Sequence, residues 1–250
     1  MPGEASIVAN LERVRANIDR AARKAGRRPE EVRLVAVTKE VPPEMVLEAV
    51  RAGVTDLGEN RVQEGAAKRQ AVESALAAGA GPGVELRWHL IGHLQTNKAA
   101  RAVRSFHLIH SVDSLRVAQA LSSVVLRQGP GAAEIEVLLE VNVAGEKTKF
   151  GVPPEQLPDL VRETSRLPGL RVRGLMTVAP VAADPEEVRP VFRRMAALKR
   201  EIEGLGLPGV SMDYLSMGMS QDYEVAVAEG ANLVRIGTAI FGPREGRIIG

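Results

Sequence analysis

The sequence predicts a single-domain (β/α)8 TIM barrel of the α/β class with an extra helix in front of it. Eight short apolar runs recur along the 250 residues, and stretches with helical spacing separate them. The runs show little polar alternation, as strands of a parallel sheet buried on both faces do. A doubly wound open sheet is the alternative, but no G-x-G-x-x-G follows the first strand. No low-complexity linker interrupts residues 1–250, which read as one domain, and only the tail "GPREGRIIG" follows the last strand.

The elements follow in order. Residues 6–25 place Ile7, Leu11, Val14, Ile18 and Ala22 on one helical face, and Gly26 is a stop. The first strand is "RLVAVTK". A helix runs from Pro43, acceptable in a first turn, to Arg51, and Gly53 ends it. Further strands are expected at 55–59, 87–92, 106–112, 134–143, 170–179, 211–218 and 232–242. Helices are expected at 60–78, 96–103, 113–128, 153–166, 185–205 and 219–229. Asp113 and Gly129 bracket one of them, and Ser220 heads the last.

Composition narrows the function. The chain is 45% hydrophobic and 26% charged, ordinary for a folded protein with a large core. There is no cysteine, which excludes disulfides, thiolate metal sites and cysteine nucleophiles. The net charge of +2 and 3% aromatic content give no basic stripe or stacking platform for nucleic acid. The N-terminus is amphipathic, without the uninterrupted apolar region of a signal peptide, and no run is long enough to span a membrane. A cytoplasmic location is expected. No long exposed apolar stripe stands out, so a monomer is expected.

In a barrel of this kind the chemistry sits at the C-terminal ends of the strands. Of only seven lysines, Lys24, Lys68, Lys98, Lys147, Lys149 and Lys199 fall in helices or a loop and read as solvated charges. Lys39 directly follows a buried strand. Partial desolvation there would favour a neutral amine able to attack a carbonyl and form a Schiff base; a strand-end ion pair with Glu40 or Glu59 is the plainer reading. "LSMGMS" (215–220) and "VRIGT" (234–238) combine small residues with a helix start after strands seven and eight, where barrels build phosphate sites. Ser216, Gly218, Ser220, Gly237 and Thr238 supply that chemistry, unless they mark ordinary turns. Arg235 lies within an apolar strand and needs a partner, either Asp213 or the nitrogen of a cofactor. His89, His93, His107 and His110 lack carboxylates at zinc-site spacing, and no metal site is expected; His89 could instead hydrogen-bond a cofactor.

A Schiff-base lysine, a phosphate cup and a buried arginine together suggest pyridoxal 5′-phosphate. The chain resembles the pyridoxal phosphate homeostasis protein family, whose barrel is similar to the N-terminal domain of alanine racemase. The resemblance is carried by "VAVTK" (35–39), "GENRVQE" (58–64), "WHLIGHLQTNK" (88–98), "HSVD" (110–113), "KFG" (149–151), "GLMTV" (174–178), "LSMGMSQD" (215–222) and "VRIGTAIFG" (234–242), in order along nearly the whole chain. Leu90 departs from the Phe or Met more usual there. The resemblance implies that Lys39 holds the cofactor and that Asn60 lies beside the ring. It also implies that Ser220, Gly237 and Thr238 bind phosphate with Ser216 and Met217 nearby, and that Arg235 faces the ring nitrogen. An arginine there keeps that nitrogen unprotonated and the ring a weaker electron sink. In alanine racemase the second base is a tyrosine from an additional β domain; no such domain is expected here, and the tyrosines of this sequence are Tyr214 and Tyr223. The expectation is a cofactor carrier serving vitamin B6 homeostasis without turnover, with cofactor-requiring apo-enzymes as recipients. A weak racemase, a barrel aldolase and an interaction surface are the rivals.

Overall fold

The computed structural model describes residues 6–243 apart from 82, 130 and 147. The expected tail lies outside the described residues from 244 onward, as does Lys147. Eight parallel strands close into a barrel in sequence order: β1 (Arg33–Val37), β2 (Asp56–Glu59), β3 (Arg87–Leu90), β4 (Leu108–Val112), β5 (Ile135–Glu140), β6 (Leu170–Met176), β7 (Val210–Ser216) and β8 (Leu233–Ile236). β8 returns to β1 with Val35 opposite Arg235.

Helix α1 (Ile7–Lys24) precedes the barrel. Ser6 caps it by accepting a hydrogen bond from the Ala9 amide at 3.2 Å. The strands are joined through α2 (Pro43–Arg51), α3 (Val62–Ala77), α4 (Ala99–Ser105), α5 (Leu115–Arg127), α6 (Leu157–Ser165), α7 (Arg189–Glu203) and α8 (Tyr223–Ala228). α2 begins at Pro43, and Gly53 follows its end at φ 84°. Gly129 likewise follows α5 at φ 95°. The N-terminal residue of α5 is flanked by Ser114 rather than Asp113. α4, α6 and α7 are each entered through a short 3-10 turn. No helix among the described residues is long and apolar enough to cross a membrane.

The last strand is shorter than its apolar run. β8 stops at Ile236, and Thr238–Phe241 form a turn of helix, α9. Short apolar runs do not distinguish strand from helix. Tertiary contact decides here: Ile240 is buried, and its carbonyl accepts from Asn10 of α1 at 2.9 Å.

Apolar burial divides in two. The outer shell between strands and helices contains Trp88, Phe192, Leu121 and α1's Leu11 and Val14. The inner layer is smaller: Val35, Leu108, Leu138, Met176 and Leu233 fill the barrel, with Tyr214 against them. Polar side chains also occupy the interior, which few apolar-run arguments anticipate. β6 needs a glycine at 174, where φ is 152° and a Cβ would stand 1.9 Å from the Tyr214 carbonyl oxygen.

Candidate functional site

The strand ends from β1, β2, β3 and β8 and the loops after β6 and β7 enclose a cavity of about 370 Å³ at the C-terminal face. Lys39, Asn60, Ser220, Arg235, Gly237 and Thr238 all line it. Ile91 and Val178 to Ala182 give it an apolar wall. A larger hollow of about 910 Å³ opens at the opposite face beside Arg33, Asp56, Arg87 and Glu136. Its charges are already engaged with each other, as in the 3.0 Å pair of Arg87 and Glu136. Size favours that hollow, but the chemistry favours the smaller cavity.

Lys39 reaches the cavity because the chain turns sharply after β1. Glu40 has φ 60°, rare for a residue with a Cβ, and its amide donates to Glu64 Oε1 at 2.8 Å. The Lys39 side chain is 24% exposed, with Nζ 3.5 Å from Glu40 Oε1. A half-open ion pair of this kind is weak and leaves the amine available. Glu59, the other expected partner, is instead held by Lys68 at 2.7 Å and by the Thr38 hydroxyl at 2.6 Å.

Lys68 overturns one expectation. It is buried rather than solvated, and it also donates to the Thr38 carbonyl. Helical periodicity gave it the look of a surface charge. Its true place follows from β2 presenting a fully buried carboxylate to α3. Burial pushes the Glu59 carboxyl up, against the hydrogen bonds from Lys68 and Thr38. The pair therefore anchors the peptide that precedes Lys39.

Ser220, Gly237 and Thr238 form a polar corner of the cavity. Ser220 Oγ accepts from the amides of Gly237 and Ala239, both at 3.3 Å. Two convergent N–H groups, with hydroxyls at residues 220 and 238, are the donor set that phosphate oxygens use. Gly218 permits the preceding turn: φ is 92°, and a Cβ would meet Ala226 Cβ at 2.6 Å. Ser220 precedes α8 by a turn rather than heading it, and Asp222 ties that turn by accepting from the Met219 amide at 2.6 Å.

Arg235 is 4% exposed. Asp213 is not its partner, because that carboxylate faces outward and pairs with Arg173 at 2.7 Å. Arg235 donates through Nη1 to Ser216 Oγ at 2.6 Å and through Nη2 to the Thr177 carbonyl at 2.9 Å. Burial pushes its pKa down to about 10, against the pull of Glu140 and Asp222, so it stays charged at neutral pH. Ser216 thus meets the cavity through Arg235 rather than by lining it. Met217 is fully buried in the outer apolar shell.

Asn60 completes the ring of polar groups. Its Oδ1 is buried without a hydrogen-bond partner among the described residues. The loop after β3 crosses close over it: a Cβ on Gly92 would lie 2.3 Å from the Asn60 carbonyl oxygen. An amine, an orphan acceptor, a buried charged donor and an anion corner fit the aldehyde, ring and phosphate of pyridoxal phosphate.

Sequence reasoning missed two carboxyl groups here. Asp222 lines the cavity, and burial raises its carboxyl pKa. Glu140, at the end of β5, is buried with Oε2 unpartnered. Burial, with the charge of Asp113, pushes it up to about 7 against the pull of Arg235. His89, considered as a hydrogen-bond partner of a cofactor, does not line the cavity; it and His110 are wholly buried. His93 pairs with Asp113 at 3.2 Å and stacks on Phe150. Among the described residues no cluster of metal-ligating side chains occurs.

Neither tyrosine lines the cavity. Tyr223 is buried, and its hydroxyl accepts from Asn17 Nδ2 at 2.9 Å. Tyr214 lies under the guanidinium groups of Arg33 and Arg173.

The alanine racemase N-terminal domain model matches residues 9–245. A pyridoxal phosphate homeostasis protein of Aquifex aeolicus is 41% identical over 94% of this chain and 97% of its own. Another, of Pseudomonas aeruginosa, is 41% identical over 96% of each chain. The solved structure of PipY from Synechococcus elongatus, with PLP bound, superposes with a TM-score of 0.75 at 35% identity over 90% of this chain and all of that one. Matched over nearly its whole length by these relatives, the chain belongs to the pyridoxal phosphate homeostasis protein family, built on the alanine racemase N-terminal barrel.

Proposed function

We propose that the chain binds pyridoxal 5′-phosphate covalently through Lys39 and serves its homeostasis as a carrier, without turnover of its own. The observation that carries this reading is one cavity lined by Lys39, Asn60, Arg235 and the Ser220–Gly237–Thr238 corner. When bound, the cofactor supplies an aldehyde that condenses with a primary amine. Lys39 would provide that amine, with the corner holding the phosphate and Arg235 facing the ring nitrogen. Arg235, charged at neutral pH, would keep a proton off that nitrogen and so disfavour carbanion chemistry.

The missing second base supports a carrier over a racemase. No tyrosine lines the cavity among the described residues, and Asp222, the lone carboxylic acid of its lining, is tied to the Met219 amide. Sequestering a reactive aldehyde until a cofactor-requiring apo-enzyme takes it is consistent with residence in the cytoplasm. Titrating the cofactor-free chain with pyridoxal phosphate tests the reading. The wild type should develop the absorbance band of a bound, amine-linked cofactor at a stoichiometry of one, and Lys39→Ala should not. An identical band in both would contradict it.

A further inference from the structure

The barrel interior holds a string of polar side chains that runs from one end to the other. Asp56 opens β2 at the N-terminal rim, His89 and His110 sit mid-strand in β3 and β4, and Ser216 closes β7. Arg235 of β8 lines the cofactor cavity. Asp56 Oδ1 lies 2.9 Å from His89 Nε2, and His89 Nδ1 lies 2.9 Å from His110 Nε2. His110 Nδ1 is 3.0 Å from Ser216 Oγ, which is 2.6 Å from Arg235 Nη1. All five residues are buried.

The Asp56 end determines where every proton sits. Arg235 can only donate. Asp56 accepts: its Oδ2 takes the Thr55 hydroxyl at 2.8 Å, and Arg33 stands 3.6 Å from Oδ1. Burial alone would raise this carboxyl, but the hydrogen bonds from His89 and Thr55 and the charge of Arg33 hold it below its usual range. An ionised Asp56 requires His89 to carry a proton on Nε2, and burial, which disfavours the charged ring, then leaves Nδ1 a bare acceptor. His110 must then donate from Nε2 and accept at Nδ1. The Ser216 hydroxyl donates to that Nδ1, while its oxygen accepts from Arg235. Each contact then has one donor and one acceptor, and both imidazoles are neutral. Burial, which pushes both histidines below their usual range, agrees. Hydrogen bonds aligned in one sense polarise one another, so the carboxylate at the floor is coupled to the guanidinium at the mouth.

We propose that Asp56 is a positioning residue for Arg235: it sets the direction of this proton string, and the string helps fix the guanidinium that lines the cofactor cavity. The effect on a bound ring rests on the function proposed above; the string itself does not.

The chain has four histidines, so nitrogen NMR of the full-length protein labelled at histidine can resolve each one. In the cofactor-free wild type near pH 7, His89 and His110 should each show a protonated Nε2 and a bare Nδ1. Ser216→Ala should retain both tautomers, because the direction is set from the other end. Asp56→Asn, which keeps an acceptor oxygen, should retain them too. Asp56→Ala should mix the tautomers of both rings. With pyridoxal phosphate added, it should shift the bound-cofactor absorbance and raise Kd roughly tenfold. A protonated Nδ1 on either ring in the wild type would overturn the proposal, whether or not Asp56→Ala folds. So would an Asp56→Ala protein with unchanged tautomers. Failure of the wild type to bind the cofactor would instead remove the proposed function and leave the tautomer result standing.

Discussion

A single lysine at the end of a buried strand was the most informative residue in this sequence, and its position could be read without a structure. What surrounds it could not. Lys68 looked like one more helical surface charge, yet it lies 2.7 Å from a wholly buried Glu59 and braces the Thr38 carbonyl next to Lys39. Sequence spacing shows which helix face a residue occupies, but not that the facing strand presents a carboxylate. Glu140 was hidden for the same reason. Its carboxyl keeps its proton up to about 7 in the folded chain, against 4.5 for the free group. The folded state therefore binds more protons across that window, and this group's contribution to stability falls as pH rises through it. Glu140→Gln should leave stability nearly unchanged near pH 4 and raise it by about 1–3 kcal/mol near pH 8. Urea unfolding at the two pH values measures the difference.

At the scale of elements, all eight strands and the helices between them follow from alternating apolar and helical patterns. The errors lie at strand ends. The run 232–242 is mostly apolar, but only Leu233–Ile236 form the strand, and Thr238–Phe241 turn into α9 against α1. That switch matters, because it turns the amides of Gly237 and Ala239 toward Ser220. The loop from β7 to α8 has to meet them, and it depends on Gly218. An alanine there would combine φ 92° with a 2.6 Å approach to Ala226 Cβ and 3.0 Å to Tyr223 Cα. Gly218→Ala should cost about 2–4 kcal/mol by denaturant unfolding. It should also weaken binding of pyridoxal phosphate through displacement of Ser220. An unchanged midpoint and affinity would mean that the turn relaxes freely.

For the whole molecule, closure of the barrel brings residues from opposite ends of the chain to one mouth: Lys39 and Asn60 from the first two units, and Ser220 to Thr238 from the last two. The family motifs identified these positions one at a time. The string from Asp56 to Arg235 was not legible, because its link from His110 to Ser216 crosses the barrel between β4 and β7, which are not sequence neighbours. Only the strand register shows that His89 and His110 point inward together. With no tyrosine at the cavity among the described residues, amino-acid racemization should not exceed the Lys39→Ala background. Chiral chromatography of an amino-acid panel incubated with the loaded protein would reveal any excess.

The central claim is the covalent hold of Lys39 on the vitamin B6 aldehyde. Borohydride reduction of the loaded protein, followed by proteolysis and peptide mass analysis, tests it most directly. One pyridoxyl adduct is expected, on the peptide containing Lys39. An adduct confined to another lysine, or bound cofactor that washes out after reduction, would contradict it.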